Sequence, residues 1–469
     1  MTSAWFGLNT GLRALVASQL ALDTAAHNTA NANTEGYSRQ RVQLVASEPF
    51  TFPAFNRSGL PGQIGSGVTV ATIERVRDAF LDLQIRGQLT LQGQWETRRD
   101  ELSKVESLFP EPGGAGLGSV LGRYWNAWQD LAADPTSTAA RAALVEQAGT
   151  LTGRFARDAA QLTTLADGID YAVRQQVAQI NDLAGRIASL NSQIQRVSVS
   201  GDHPNDLSDQ RDLLLDQLNR IVPVTVDPKT DGTVTVLIGG TDLVQNDKAR
   251  PVTTVPDANG HQVPAWSSGG NVSLGTGQLA ALVSIRDTTL AGYRAQLDQL
   301  ARGVADAVSA LHQTGVDATG APGLQFFTYT PGAEASTIAV NAAIAADPRR
   351  IAAAAAANQP GDGSIAGAIA DLRAARLFGS GTQTASDFYA GLVGLIGSDA
   401  RQASEMATNQ TLVVDHLKAR RESISGVSLD EEATDMIRFQ RAYQAAARVI
   451  STVDEMLDTL INRTGIVGR

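Results

Sequence analysis

Two stretches at opposite ends of the chain carry the clearest hydrophobic periodicity. Near the N-terminus Leu8, Leu12, Leu15, Gln19, Leu22, Ala26 and Thr29 recur in steps of three and four. Near the C-terminus Met436, Phe439, Tyr443, Ala446, Ile450, Val453, Leu457 and Leu460 do the same. Such a repeat is the a/d seam of a coiled coil. The seams are narrow. In the C-terminal stretch Arg441, Arg448 and Glu455 form a polar row on the far face, extended by Ser451 and Asp458. Each helix therefore suits one or a few partner helices rather than a broad core. Ser428 and Glu431 form an S-x-x-E start signal, with Asp430 and Glu432 in the first turn. The N-terminal helix is expected to end around Asn33-Thr34-Glu35-Gly36, with Gly36 as a left-handed cap.

Between the ends the pattern predicts more long helices, over about 80–109, 154–197, 207–221, 280–312 and 386–422. The first carries Leu91, Trp95, Leu102, Val105 and Phe109 in register and is stopped by Pro110 and Pro112. The second has Val173, Val177, Ile180, Ala184, Ile187 and Ile194 on one stripe. From 222 to 275 the character changes. The β-branched run Thr233–Ile238 follows an Asp231-Gly232 turn signal, and Pro223, Pro251, Pro256 and Pro264 punctuate the region. The stretch 315–331 is rich in turn chemistry. The expected fold is mainly α, a long helical bundle with terminal coiled-coil helices brought together from both chain ends and a small inserted β domain. The expected domains are 1–50 with 426–469 as a terminal assembly domain, 51–221 with 276–425 as the long-helix bundle, and 222–275 as the β insert.

Composition narrows the function classes. The chain has 469 residues, 43% of them hydrophobic but only 5% aromatic, which favours helices packed by small and aliphatic side chains. Its net charge of −10 and the lack of any Lys/Arg run argue against a nucleic-acid partner. No apolar run approaches the ~20 residues of a membrane span, and the first residues lack the pattern of a secretory signal peptide. Cysteine is absent, which excludes disulfides and thiolate metal sites.

No catalytic constellation stands out. His27, His203, His261, His312 and His416 are scattered, none three or four residues from another, and are read as polar side chains on surfaces or turns. There is no phosphate-binding G-K-S/T and no nucleophile elbow. Gly62, Gly65 and Gly67 read as a flexible loop. Asp227-Pro-Lys-Thr-Asp231-Gly232 lacks most ligands of a calcium loop and reads as a tight turn. The chain is therefore expected not to be an enzyme and to use no cofactor or metal.

The segment Asn28-Thr-Ala-Asn-Ala-Asn-Thr-Glu-Gly-Tyr-Ser38 resembles the N-terminal signature of the flagellar rod, hook and hook-associated family, through Asn28, Asn31, Asn33, Gly36 and Tyr37. The segment 426–443, Gly-Val-Ser-Leu-Asp-Glu-Glu-Ala-Thr-Asp-Met-Ile-Arg-Phe-Gln-Arg-Ala-Tyr, is similar to its C-terminal signature. In the middle, Asn205-Asp-Leu-Ser-Asp-Gln-Arg-Asp-Leu213, Leu279 to Asp287 and Gly323-Leu-Gln-Phe-Phe327 are similar to the hook-associated branch. The resemblance implies a structural subunit at the hook–filament junction, self-assembling into a helical ring through the terminal helices. It implies hook protein and a second hook–filament junction protein as neighbours. It also implies passage unfolded through the flagellar type III export apparatus, a cytoplasmic export chaperone on the C-terminal helix, and an extracellular location. The alternatives are another axial component (hook or rod) or a coiled-coil binding protein.

Overall fold

The computed structural model describes residues 3–49, 65–111 and 116–463. In chain order the first part contains α1 (Ser3–Ala30), β1 (Gln40–Ala46), β2 (Val68–Arg75), α2 (Ala79–Leu108), α3 (Leu117–Ala133), α4 (Thr138–Val199) and α5 (Asn205–Ile221). Strands β3 (Thr225–Pro228), β4 (Val234–Ile238), β5 (Thr241–Gln245), β6 (Lys248–Ala249), β7 (Val252–Pro256) and β8 (Gln262–Trp266) follow. Next come α6 (Gln278–Ser284), a π-helical turn (Ile285–Leu290) and α7 (Ala291–His312). A stretch of short pieces holds β9 (Val316–Asp317), β10 (Phe327–Thr328), α8 (Glu334–Thr337), β11 (Ala339–Val340), α9 (Ala342–Ala346), β12 (Ala352–Ala354) and α10 (Ser364–Ala370). Two long helices close the chain, α11 (Ala385–Ser425) and α12 (Leu429–Asp458). The fold is mainly α, with long helices at both ends and small sheets between.

The chain forms two compact units. The first comprises Met1–Thr90, Gln179–Pro251 and Leu412–Arg469. It holds the antiparallel β1–β2 hairpin and the sheet ordered β3-β4-β5-β6. Asn191 of α4, fully buried, donates to the carbonyls of Val234 and Asn246 and accepts from the Val234 amide, pinning the sheet to the helix. The Asp231-Gly232 turn is tight as expected: Gly232 sits at φ +82 and Asp231 accepts from the amide and hydroxyl of Thr233. The units cut the expected 222–275 insert between them, because β7 and β8 pair only with each other and belong to the second unit.

The second unit comprises Leu91–Ala178 and Val252–Thr411. Its centre is aromatic. Tyr124, Trp125 and Trp128 of α3 are buried, with Trp128 5.2 Å from Phe326 and Tyr124 5.8 Å from Phe327, ring centre to ring centre. No helix is predicted over 117–133, so α3 corrects the sequence reading, and α4 begins at Thr138 rather than near 154. His312 is a second correction. It is fully buried; Nδ1 lies 2.6 Å from the Leu324 carbonyl, and Nε2 accepts the Ala352 amide at 2.8 Å. Burial pushes it down to about 4 and keeps the ring neutral, so Nδ1–H is the donor. Gly67 is not part of a loose loop, since a Cβ there would stand 3.2 Å from the Thr10 methyl, whereas Gly65 is exposed with open space around it. Gly62 and Pro112 lie outside the described residues.

Candidate assembly face of the terminal helices

Helices α1 and α12 pack antiparallel along each other. A Cβ at Gly7 would stand 3.2 Å from Val453, and one at Gly11 only 2.9 Å from Ile450. At the other end Asn28 meets Glu432. The covered side of α1, which faces α12 and the β1–β2 hairpin, consists of small residues: Gly11, Ala17, Ser18, Ala21 and Ala25. Small side chains let the partner backbone approach closely. The leucine stripe read from the sequence lies elsewhere. Leu8, Leu15 and Leu22 are half-buried on the flank, while Leu12 is 51% exposed and Ala26 is exposed. Trp5, Val16 and Leu20 extend that outer stripe. The reason for the displaced register is that close contact selects for smallness, whereas the periodicity in the sequence is carried by leucine.

On α12 the seam is half used. Met436, Phe439, Ile450, Val453 and Leu457 are half-buried, Tyr443 and Leu460 are exposed, and only Glu432 and Ala446 are fully buried. Val449, Met456 and Leu460 leave an apolar strip in solvent. Ser428 accepts the Glu431 amide at 3.5 Å, so half of the expected capping box is present. The Glu431 carboxylate is engaged instead by Arg39.

The root of this helix pair is polar. Asn28, 1% exposed, uses its full hydrogen-bonding capacity. Its Nδ2 donates to the Gln40 carbonyl and to Glu432 Oε2. Its Oδ1 accepts from the Tyr37 hydroxyl and the Gln40 amide. Burial and the carboxylates of Asp206, Asp209 and Glu432 hold the Tyr37 phenol protonated. Asn31 donates to the His27 carbonyl and accepts from Thr34, closing the turn after α1. Gly36, at φ +81, lies against Leu213, where a Cβ would come within 3.2 Å. Asn33 is exposed.

Beneath it runs a row of carboxylates that the sequence reading missed. Asp209, Asp212 and Asp216 fall on one face of α5. Asp209 accepts from both the amide and the hydroxyl of Ser38 at 2.8 Å. Asp212 meets Arg75, Arg77 and Arg86 between 2.8 and 3.1 Å. Asp216 meets Arg86 at 3.0 Å and Arg421 of α11 at 2.8 Å. Burial opposes the charge of Asp212, but the three guanidinium groups hold it down to about 2. These pairs tie β2, α2, α5 and α11 into one frame. Their only trace in the sequence is the three- and four-residue spacing of the aspartates, which also describes a solvated face.

Among the described residues no cluster of metal-ligating side chains occurs, and no helix is long and apolar enough to cross a membrane. The geometry offers a partly covered helix pair on a rigid polar base, with apolar stripes left outward.

The comparisons with known proteins agree with this architecture. A model described as the flagellar hook-associated protein FlgK helical domain matches residues 102–327. Models for the flagella basal body rod protein and for the C-terminal region of the flagellar basal body rod FlgEFG proteins match 8–37 and 421–463. The flagellar hook-associated protein 1 of Bacillus subtilis is 33% identical, covering 100% of both chains. That of Salmonella typhimurium is 28% identical over 97% of this chain and 99% of its own. The solved structure of the flagellar hook junction protein FlgK from Burkholderia pseudomallei superposes with a TM-score of 0.66 at 18% identity, over 73% of this chain and 100% of that one, and shares its fold. With terminal helices, helical middle and full-length identity in agreement, the chain belongs to the flagellar hook-associated protein 1 family.

Proposed function

We propose that this chain is a structural, non-enzymatic subunit of the junction between hook and filament, and that it self-assembles through the outward faces of α1 and α12. The observation that carries this reading is the two-sided apolar character of α1. One side is covered by α12 and the hairpin, yet Trp5, Leu12 and Val16 on the other are 66%, 51% and 54% exposed. A helix that is apolar on opposite faces is built to be buried on both. The strip of Val449, Met456 and Leu460 on α12 gives the second half of such a contact. The partners are further copies of this chain, hook protein and the second junction protein. Export unfolded through the flagellar type III apparatus, with a chaperone on the C-terminal helix, would deliver it to an extracellular position.

The test places Asp at Leu12 and, separately, at Met456. A charge on a face buried only in the assembly costs several kcal/mol there and little in the monomer. Both variants should melt like the parent chain but fail to restore junctions and swimming in cells lacking the gene. Normal junctions with both would remove the outer stripes as assembly surfaces. Immunogold labelling of purified flagella locates the subunit, and a label along the hook or rod would overturn the junction assignment.

A further inference from the structure

The elbow between the last two helices is short: α11 ends at Ser425 and α12 begins at Leu429, leaving Gly426, Val427 and Ser428 between them. A single residue from the other end of the chain grips both sides of it. The Arg39 amide donates to the carbonyl of Ser425 at 2.8 Å. Its guanidinium reaches Glu431 at 2.6 Å and Glu432 at 2.7 Å, with Asp435 at 3.7 Å, across the first two turns of α12. The Arg39 carbonyl accepts the Val76 amide at 2.8 Å, which roots the grip at the end of the hairpin. Its neighbours are equally committed: Ser38 to Asp209 of α5, and the Gln40 backbone to Asn28 of α1.

We propose that Arg39 is a clamp that fixes the angle of the α11–α12 elbow and makes docking of the C-terminal helix conditional on the N-terminal segment. The argument is one of charge and cover. Glu432 is 2% exposed at the end of the α12 seam, and a buried carboxylate is tolerated only with a partner. Arg39 and Asn28 supply that partner, and both come from the first forty residues of the chain. Helix α12 packs along α1 and buries little else, so it lacks the apolar cover to hold its own direction. Burial works against the Arg39 charge, but Glu432 and Glu431 more than compensate, so the clamp stays charged. The clamp decides where the outward strip of α12 points, and it stands whether or not that strip is an assembly surface.

The absence of cysteine allows clean labelling. Spin labels on Gln217→Cys of α5 and Ser451→Cys of α12, both exposed, report the elbow by electron–electron distance measurement in the full chain. The unaltered clamp should give one narrow distance, Arg39→Met a broad distribution, and Arg39→Lys an intermediate one. Glu431→Gln, which alters only the exposed outer bond, should stay narrow. Hydrogen exchange in 432–457 should rise at least about tenfold in Arg39→Met while 205–221 stays protected. A narrow distance in Arg39→Met overturns the proposal, as does a broad one in the parent chain. Equal loss of protection in α5 also overturns it, because Arg39 would then be general core and no clamp.

Discussion

Helices α3 and α12 make opposite use of the same secondary structure. α3 is 17 residues long and hides eight of them, including Tyr124, Trp125 and Trp128. α12 is 30 residues long and hides two, Glu432 and Ala446. The first is held by a broad covered face of aromatic and aliphatic side chains. The second has one narrow line of contact, one polar grip at its root and an apolar strip left in water. Length and propensity say little about how much a helix contributes to a fold; the width of its covered face decides it. Core helices fix the molecule, and the terminal pair keeps surface in reserve.

The largest expected effect tests the core side of this contrast. Trp128→Ala leaves a cavity among Phe326, His312 and Tyr124 and should cost about 3–5 kcal/mol, read as a lowered denaturant midpoint. A loss below about 1 kcal/mol would show that the aromatic centre is loosely packed.

Next is the polar frame under the terminal pair. Asp212→Ala leaves three arginines short of a partner and should cost about 3 kcal/mol. Its pH dependence follows from the depressed value. The stability that Asp212 contributes is fully present above its ordinary 3.8 and is lost as pH falls towards 2. Urea midpoints of the parent chain should therefore fall over that window, and those of the variant should fall less.

A subtler effect lies in the second unit. Burial raises Asp158 to about 6 against the pull of Arg154, so its cost to stability is absent below 3.8 and grows as pH rises towards 6. His312, held near 4, acts in the opposite sense: its stability is complete above 6.5 and is lost as pH falls to 4. The two slopes oppose each other between pH 4 and 6. Asp158→Asn removes one of them, leaving stability that rises with pH by up to about 1.4 kcal/mol per unit. Midpoints at pH 4, 5, 6 and 7 check it, and an unchanged profile would contradict the compensation.

The smallest effect on overall melting is expected at the terminal pair. Ile450→Asp puts a charge against Gly11 and should part α1 from α12. Exchange in both helices should rise together, while the main thermal transition shifts by less than about 1 °C, since the side chains covered between them are mostly small and α12 itself hides only Glu432 and Ala446. A large fall in melting temperature would make α12 an ordinary core helix and erase its contrast with α3.

Much of the outline is local and was legible. The α12 repeat, the Ser428 start signal, the Asp231-Gly232 turn and the long helices follow from periodicity and backbone preferences that neighbouring residues set among themselves. What covers a face is not local. Gly118 and Gly122 lower the helix propensity of α3, and only the closing of aromatic residues from 326 and 327 around it makes it a helix worth forming. His312 reads as a polar surface residue until two backbone groups, Leu324 and Ala352, are brought to its two nitrogens. The aspartates of α5 resemble a solvated stripe until Arg75, Arg77, Arg86 and Arg421 arrive from distant elements. On α1 the sequence placed apolar and small residues around most of the helix, and tertiary structure decided which side the chain covers itself. The small face won because α12 can approach glycine and alanine more closely than leucine, which left Leu8, Leu15 and Leu22 half-buried on the flank and Leu12 and Leu20 facing out.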